Sequence, residues 1–216
     1  MAEAIIAGIV GNEVVTVEEV CVSDISEERL EHFESGFGIQ TALSNTAAAA
    51  DADVVVLSVK PQIFPQVWPE LEAALKPEAL VISIMAGISS ETIAAGKPIR
   101  VVRVMPNTPS LVGEGAAGIA PGEFATAADV ARAQQLLGAV GTAVVVTEPE
   151  IDAVTALSGS GPAYVFYLLE SMLEAADRMG LESGVSRELA LATVIGAASL
   201  MKQSGEGAAE LRAKVT

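Results

Sequence analysis

Between residues 20 and 146, short β-branched and apolar runs alternate with segments of helical pattern, and beyond Glu148 the runs stop. Strands separated by helices need crossover connections, and such crossovers build a parallel sheet covered by helices on both faces. The run at 53–59 is apolar at nearly every position, the pattern of a strand buried on both sides. Further strands are predicted at 20–23, 80–84, 99–105 and 142–146. Helices are predicted at 1–10, 26–35, 47–51, 64–75, 89–95 and 127–140, with Ser26 opening and Gly36 closing the second of these. The fold class is therefore α/β, with a Rossmann-type, doubly wound, mainly parallel sheet followed by an all-helical domain.

The boundary is expected at residues 148–149, giving a dinucleotide-binding domain over 1–148 and a helical dimerisation and substrate domain over 149–216. The second part reads as helices at 164–179, 186–203 and 208–215. A segment of about 68 residues with apolar side chains on several faces does not bury its own core, so a second copy of the chain is the expected partner. Apolar residues make up 51% of the sequence, yet they come in blocks well short of a membrane span. No membrane partner and no signal peptide are expected, which makes the cytoplasm the default compartment. The net charge of −16 argues against nucleic acid and anionic lipid. Cys21 is the one cysteine and His32 the one histidine, so an intrachain disulfide and a Cys/His zinc site are both excluded, and no metal is expected. Cys21 reads as a buried strand residue and His32 as part of a solvated helix face.

In a doubly wound sheet, ligands bind beyond the carboxyl ends of the strands. Ser23 and Asp24 follow the strand at 20–23, where such folds meet the adenosine ribose. An Asp there suits a free 2′-hydroxyl, whereas a helix cap explains the pair equally well. Lys60 ends the strand at 53–59 and Pro61 fixes the turn after it. The lysine can reach a ribose or phosphate oxygen, or can simply be solvated. Asn107 and Thr108 sit between Pro106 and Pro109 in a stiff turn that can hold a flat ring or a carboxylate, or be a plain proline-rich turn. Ser160, in Ser158-Gly-Ser-Gly-Pro162, can cap the long helix that follows, whose N-terminus attracts anions.

Together these segments resemble pyrroline-5-carboxylate reductase. The resemblance is carried by Met1-Ala-Glu-Ala-Ile-Ile, Ser58-Val-Lys-Pro-Gln, Arg103-Val-Met-Pro-Asn-Thr-Pro, Leu111-Val-Gly-Glu-Gly and Asp152-Ala-Val-Thr-Ala-Leu-Ser-Gly-Ser-Gly-Pro-Ala-Tyr-Val-Phe, and it runs the length of the chain in order. It implies reduction of L-1-pyrroline-5-carboxylate to L-proline by NADPH, with NADH also open, and a homo-oligomer built from dimers through the helical domain. It implies cofactor contacts at Ser23, Asp24, Asn45, Val59, Lys60, Pro61, Ala86 and Asn107, and substrate contacts at Thr108 and Ser160.

The family's fingerprint, Gly-x-Gly-Asn-Met-Ala-Glu-Ala, is met here from its Met onward. The resemblance therefore leads one to expect that the first strand and its glycines lie outside the given chain. The same holds for the family's Ser-Pro-Gly-Gly-Thr loop, whose threonine is its candidate hydrogen-bonding residue beside the imine and would follow Thr216. No catalytic residue is accordingly assigned. Asp24, followed by Ile25 and not by an Arg, weakens the case for a 2′-phosphate. A cyclic imine is easily protonated and then accepts hydride readily, so the enzyme's main work is positioning. Two other readings stay open: a catalytically silent nucleotide- or subunit-binding fragment, and a related imine reductase or β-hydroxyacid dehydrogenase. The dehydrogenases would carry a catalytic lysine on the long helix, and residues 164–179 contain none.

Overall fold

A computed structural model describes residues 1–215. They divide into two compact units, Met1–Pro162 and one beginning at Ala163.

The first unit holds seven strands. β1 (Cys21–Ser23) and β2 (Gln40–Ala42) form a parallel pair. β3 (Val54–Leu57), β4 (Leu80–Ser83), β5 (Arg100–Met105), β6 (Gly115–Pro121) and β7 (Gly141–Val145) form a five-stranded sheet in that order. All of its pairings are parallel except β5 with β6. The helices are α1 (Ala2–Gly11), α2 (Glu27–Phe37), α3 (Asn45–Ala49), α4 (Phe64–Ala74), α5 (Ser90–Ala94), α6 (Ala127–Gly138) and α7 (Ile151–Val154).

Successive side chains of a strand point to opposite faces, and the core follows that rule. Leu80, Ile82, Val102 and Val104 pack under α1 and α6 with Ile5, Ile9, Leu136 and Leu137. Val81 and Val101 face the other way, into Phe64, Trp68, Leu71 and Ile93 of α4 and α5. The sheet is thus wound on both sides, as the alternation predicts. A smaller cluster of Ile6, Phe33 and Ile39 fixes α2.

Three local expectations are corrected, and one strand was not expected. Helix α2 runs through Gly36 and ends at Gly38, whose left-handed φ of 69° and N–H bond to the Glu34 carbonyl close it; Phe37 packs into the cluster under α2 and carries the helix past Gly36. β3 is the edge strand of the larger sheet, so its valines are not buried on both faces, and Val56 is 39% exposed. Cys21 is exposed, not buried. β6, Gly-Ala-Ala-Gly-Ile-Ala-Pro, is a strand that the sequence hides, because Gly and Ala are weak strand formers.

The helix α8 (Gly161–Arg178) leads into the second unit, which continues with α9 (Ser183–Ser204) and α10 (Ala208–Val215). Gly180 and Gly205 take left-handed backbones at the two turns, as their placement in the sequence suggests. Glu182 caps α9 by accepting the N–H groups of Gly184 and Val185, which holds its carboxyl below the ordinary range. Among the described residues, α9 alone is long and apolar enough by length and composition to cross a membrane, with a mean hydropathy of 1.2 over its best window.

Candidate active site

The loops that leave the carboxyl ends of the strands bring two groups of predicted residues together. The first lies beyond β1 and β2. Ser23, the last residue of β1, donates its hydroxyl to Asn45 Oδ1 at 2.7 Å. Asn45 is the first residue of α3, behind Ser44, which caps that helix by accepting the Ala47 N–H. Asp24 is exposed and accepts the Ser26 N–H at 3.0 Å, so it also shapes the turn. The cap of α2 is Ser26, which accepts the Arg29 N–H at 3.3 Å, so the Ser23–Asp24 pair does not serve as the helix cap. Ile25 and Leu43 flank this group and are 104% and 92% exposed. Two bare apolar side chains beside a polar pair suit a flat ring carrying a sugar.

Arg29, the nearest cation in sequence, is committed to Glu3 at 2.8 Å and lies over the Phe33 ring at 5.0 Å. His32 also bonds Glu3, at 3.0 Å, and is half exposed as its helix position predicts. Arg29 first, and His32 after it, hold the Glu3 carboxyl below the usual carboxylate range.

The second group leaves one edge of the larger sheet, beyond the parallel strands β3, β4 and β5. Val59 is half-buried against the core cluster under α4, which fixes the backbone before Lys60. Lys60 is exposed and makes no ion pair among the described residues, while Pro61 starts a short 3-10 turn behind it. In a chain this acidic, an unpaired lysine at a strand end is available for an anion. Ala86 is exposed beyond β4 and is followed by Gly87 in a left-handed turn.

Asn107 follows β5 and is only 9% exposed. Its Oδ1 accepts the Ala116 N–H at 2.8 Å and its Nδ2 donates to the Ser158 carbonyl at 3.0 Å. Thr108 next to it is exposed and opens a 3-10 turn through Val112. Ser160 is exposed and immediately precedes α8, after a π-helical segment Thr155–Gly159 that the sequence does not announce.

Sequence reasoning missed a half-buried ion pair on β5. Arg103 on β5 donates to Glu148 at 3.1 Å, and Glu148 also accepts the Ser90 N–H and hydroxyl. The only available signal was an arginine inside an apolar strand. No group of three or more His, Cys, Asp or Glu side chains that could hold a metal occurs among the described residues.

Residues 148–216 match the family model for pyrroline-5-carboxylate reductase dimerisation, and residues 1–87 match that for NADP oxidoreductase, coenzyme F420-dependent. The chain is 44% identical over 219 residues to pyrroline-5-carboxylate reductase of Pseudomonas aeruginosa, with all of this chain and 80% of that one covered. Its fold superposes on a pyrroline-5-carboxylate reductase from Coxiella burnetii with a TM-score of 0.92 at 37% identity, covering 100% of this chain and 81% of the other. A Plasmodium falciparum pyrroline carboxylate reductase crystallised with NADP bound gives 0.89 at 28% identity, with 99% and 79% covered. Fold and family matches define an oxidoreductase with a Rossmann-type domain for a nicotinamide cofactor and a helical dimerisation segment. Within that class, the chain belongs to the pyrroline-5-carboxylate reductase family.

Proposed function

We propose that this chain reduces L-1-pyrroline-5-carboxylate to L-proline, the last step of proline biosynthesis, using NADPH and also accepting NADH. The reading is carried by likeness to that family along all of this chain, together with an exposed lysine, unpaired among the described residues, on the sheet edge from which Asn107 also emerges. Residues 1–148 bind the nucleotide, and 149–216 supply subunit contact and substrate binding.

Ser23, Asp24 and Asn45 meet the adenosine ribose, with Ile25 and Leu43 offering apolar faces to the base. Lys60, on the turn set by Val59 and Pro61, draws in a ribose or phosphate oxygen by a charge-assisted bond. Ala86 and the backbone at Asn107 border the nicotinamide. Thr108 and Ser160 hold the substrate, whose carboxylate suits the first turn of α8. The bound nucleotide supplies the hydride. These residues supply position, and a protonated cyclic imine asks for little else. Asp24 has no cation paired to it among the described residues and favours a free 2′-hydroxyl over a phosphate, which supports use of NADH beside NADPH.

The enzyme works in the cytoplasm as a homo-oligomer of dimers joined through the helical segment, and takes neither nucleic acid nor membrane as partner. The exposed apolar faces of α8 and α9 support the subunit contact, and the acidic net charge supports the two exclusions. The test is to mix the purified chain with substrate and each reduced nucleotide and follow nicotinamide absorbance. Oxidation that depends on pyrroline-5-carboxylate is expected. No turnover with either nucleotide overturns the reading in favour of a silent binding fragment.

A further inference from the structure

The hydrogen bonds of Asn107 reach past the nucleotide edge. In a regular α-helix the Ser158 carbonyl would accept the N–H of residue 162, but that residue is Pro162 and has none. The chain turns through the wide Thr155–Gly159 segment here, where the Ser160 N–H reaches back to the Thr155 carbonyl at 2.8 Å. Asn107 Nδ2 supplies the donor that Pro162 cannot, at 3.0 Å. Its Oδ1 is held at the same time by the Ala116 N–H of β6.

Close packing fixes the same segment from two further sides. A Cβ on Gly159 would fall 2.9 Å from Met105 Cε, and one on Gly118 would fall 2.8 Å from Val154 Cγ1. The wide turn therefore lies directly on β5 and β6. Such turns inside helices recur at functional sites.

We infer that Asn107 is a positioning residue for substrate: its buried amide ties the Thr108 turn to the Ser158–Ser160 turn, and so sets the spacing between two proposed substrate contacts. This rests on the proposed reductase reading. The side chain acts through the Ser158 carbonyl and the Ala116 amide, while the backbone of the turn remains free to border the nicotinamide.

The test uses Asn107→Asp and Asn107→Ala in the whole chain. Asn107→Asp keeps an acceptor for Ala116 and sets a carboxylate against the Ser158 carbonyl. Asn107→Ala removes both bonds. In both, KM for pyrroline-5-carboxylate is expected to rise about tenfold or more, while the NADPH dissociation constant stays within about twofold. Unchanged KM, or equal loss of both ligands, overturns the inference. Should Asn107→Ala not fold, Asn107→Asp carries the comparison. Amide exchange gives a readout that needs no turnover. Exchange at Thr155–Ser160 is expected to quicken about tenfold in the variant, with α6 unchanged. If the parent chain lacks reductase activity, the proposed function falls, and this exchange pattern still decides whether Asn107 holds the turn. Unchanged exchange there overturns the inference.

Discussion

β4 and the helix pair α8–α9 are both rich in large apolar residues, and they end in opposite environments. Val81 and Ile82 are 0% exposed, whereas Phe166 is 64%, Tyr167 71% and Ile195 65% exposed. Beyond Ala163, only Ser186 and Ala190 are buried among the described residues. The sheet finds helices on both of its faces within one chain. Three helices alone do not offer each other enough surface. Burying a large apolar side chain contributes about 1.5–3 kcal/mol, so leaving many in water is tolerable only if association removes them. Apolar content therefore says how much core a chain can make, and the partner decides where part of it lies.

The largest effects are expected where that contrast is attacked directly. Charging the open helical faces with Phe166→Glu and Ile195→Glu together is expected to weaken subunit association about 100-fold or more, seen as a smaller species in sedimentation velocity. Ile82→Ala strikes the finished core instead. It is expected to lower unfolding free energy by about 2–5 kcal/mol while leaving the folded protein's sedimentation unchanged. An intact assembly in the first case, or a dissociated one in the second, breaks the comparison.

A smaller effect is expected at the Arg103–Glu148 ion pair. Arg103 is nearly buried, and its Nε has no hydrogen-bond partner, so Glu148 is its main compensation. Glu148→Gln leaves that cation poorly paired and weakens the bonds to Ser90. A cost of about 2–3 kcal/mol in denaturant unfolding is expected, at or below the low end for buried pairs because the Glu148 side chain is 26% exposed. Adding Arg103→Met removes the stranded charge, so the double variant is expected to be more stable than Glu148→Gln alone. A double variant that is no better indicates that Ser90 capping, not the buried charge, dominates.

The doubly wound sheet was legible because residues such as Val81 and Val101 leave runs that no other arrangement buries. Gly118 on β6 was not, since its lack of a side chain answers to Val154, distant in sequence. The strand ends at Ser23, Lys60 and Asn107 could be read as candidate positions from topology alone. The Ser23–Asn45 bond could not, because it joins loops whose nearness depends on β1 pairing with β2. The wide turn at Thr155–Gly159 escaped for a similar reason. Its nearest sequence signal, Pro162, reads as an ordinary helix start until Asn107 is seen filling the missing donor.

The smallest expected effect lies in acid, at Glu3. Arg29 and His32 face its carboxyl from α2 and lower its pKa from the ordinary value of 4.5. A carboxyl whose pKa is depressed by folding stabilises the protein above the unfolded value and loses that contribution as pH falls through the folded one. Because the side chain is 36% exposed, solvent screening keeps the contribution to about 0.2–1 kcal/mol. Melting curves of the parent and Glu3→Gln are therefore expected to differ slightly near neutral pH and to converge as pH falls through the lowered folded-state pKa of Glu3. High salt is expected to shrink the gap further. Glu182, whose pKa is lowered by its bonds to the Gly184 and Val185 amides, tests the same sign in the helical unit. Glu182→Gln is expected to remove part of the acid sensitivity from α9, read by amide exchange in that helix, while α1 and α2 keep theirs. Loss of acid sensitivity in both units from either variant alone would mean that the two regions unfold as one.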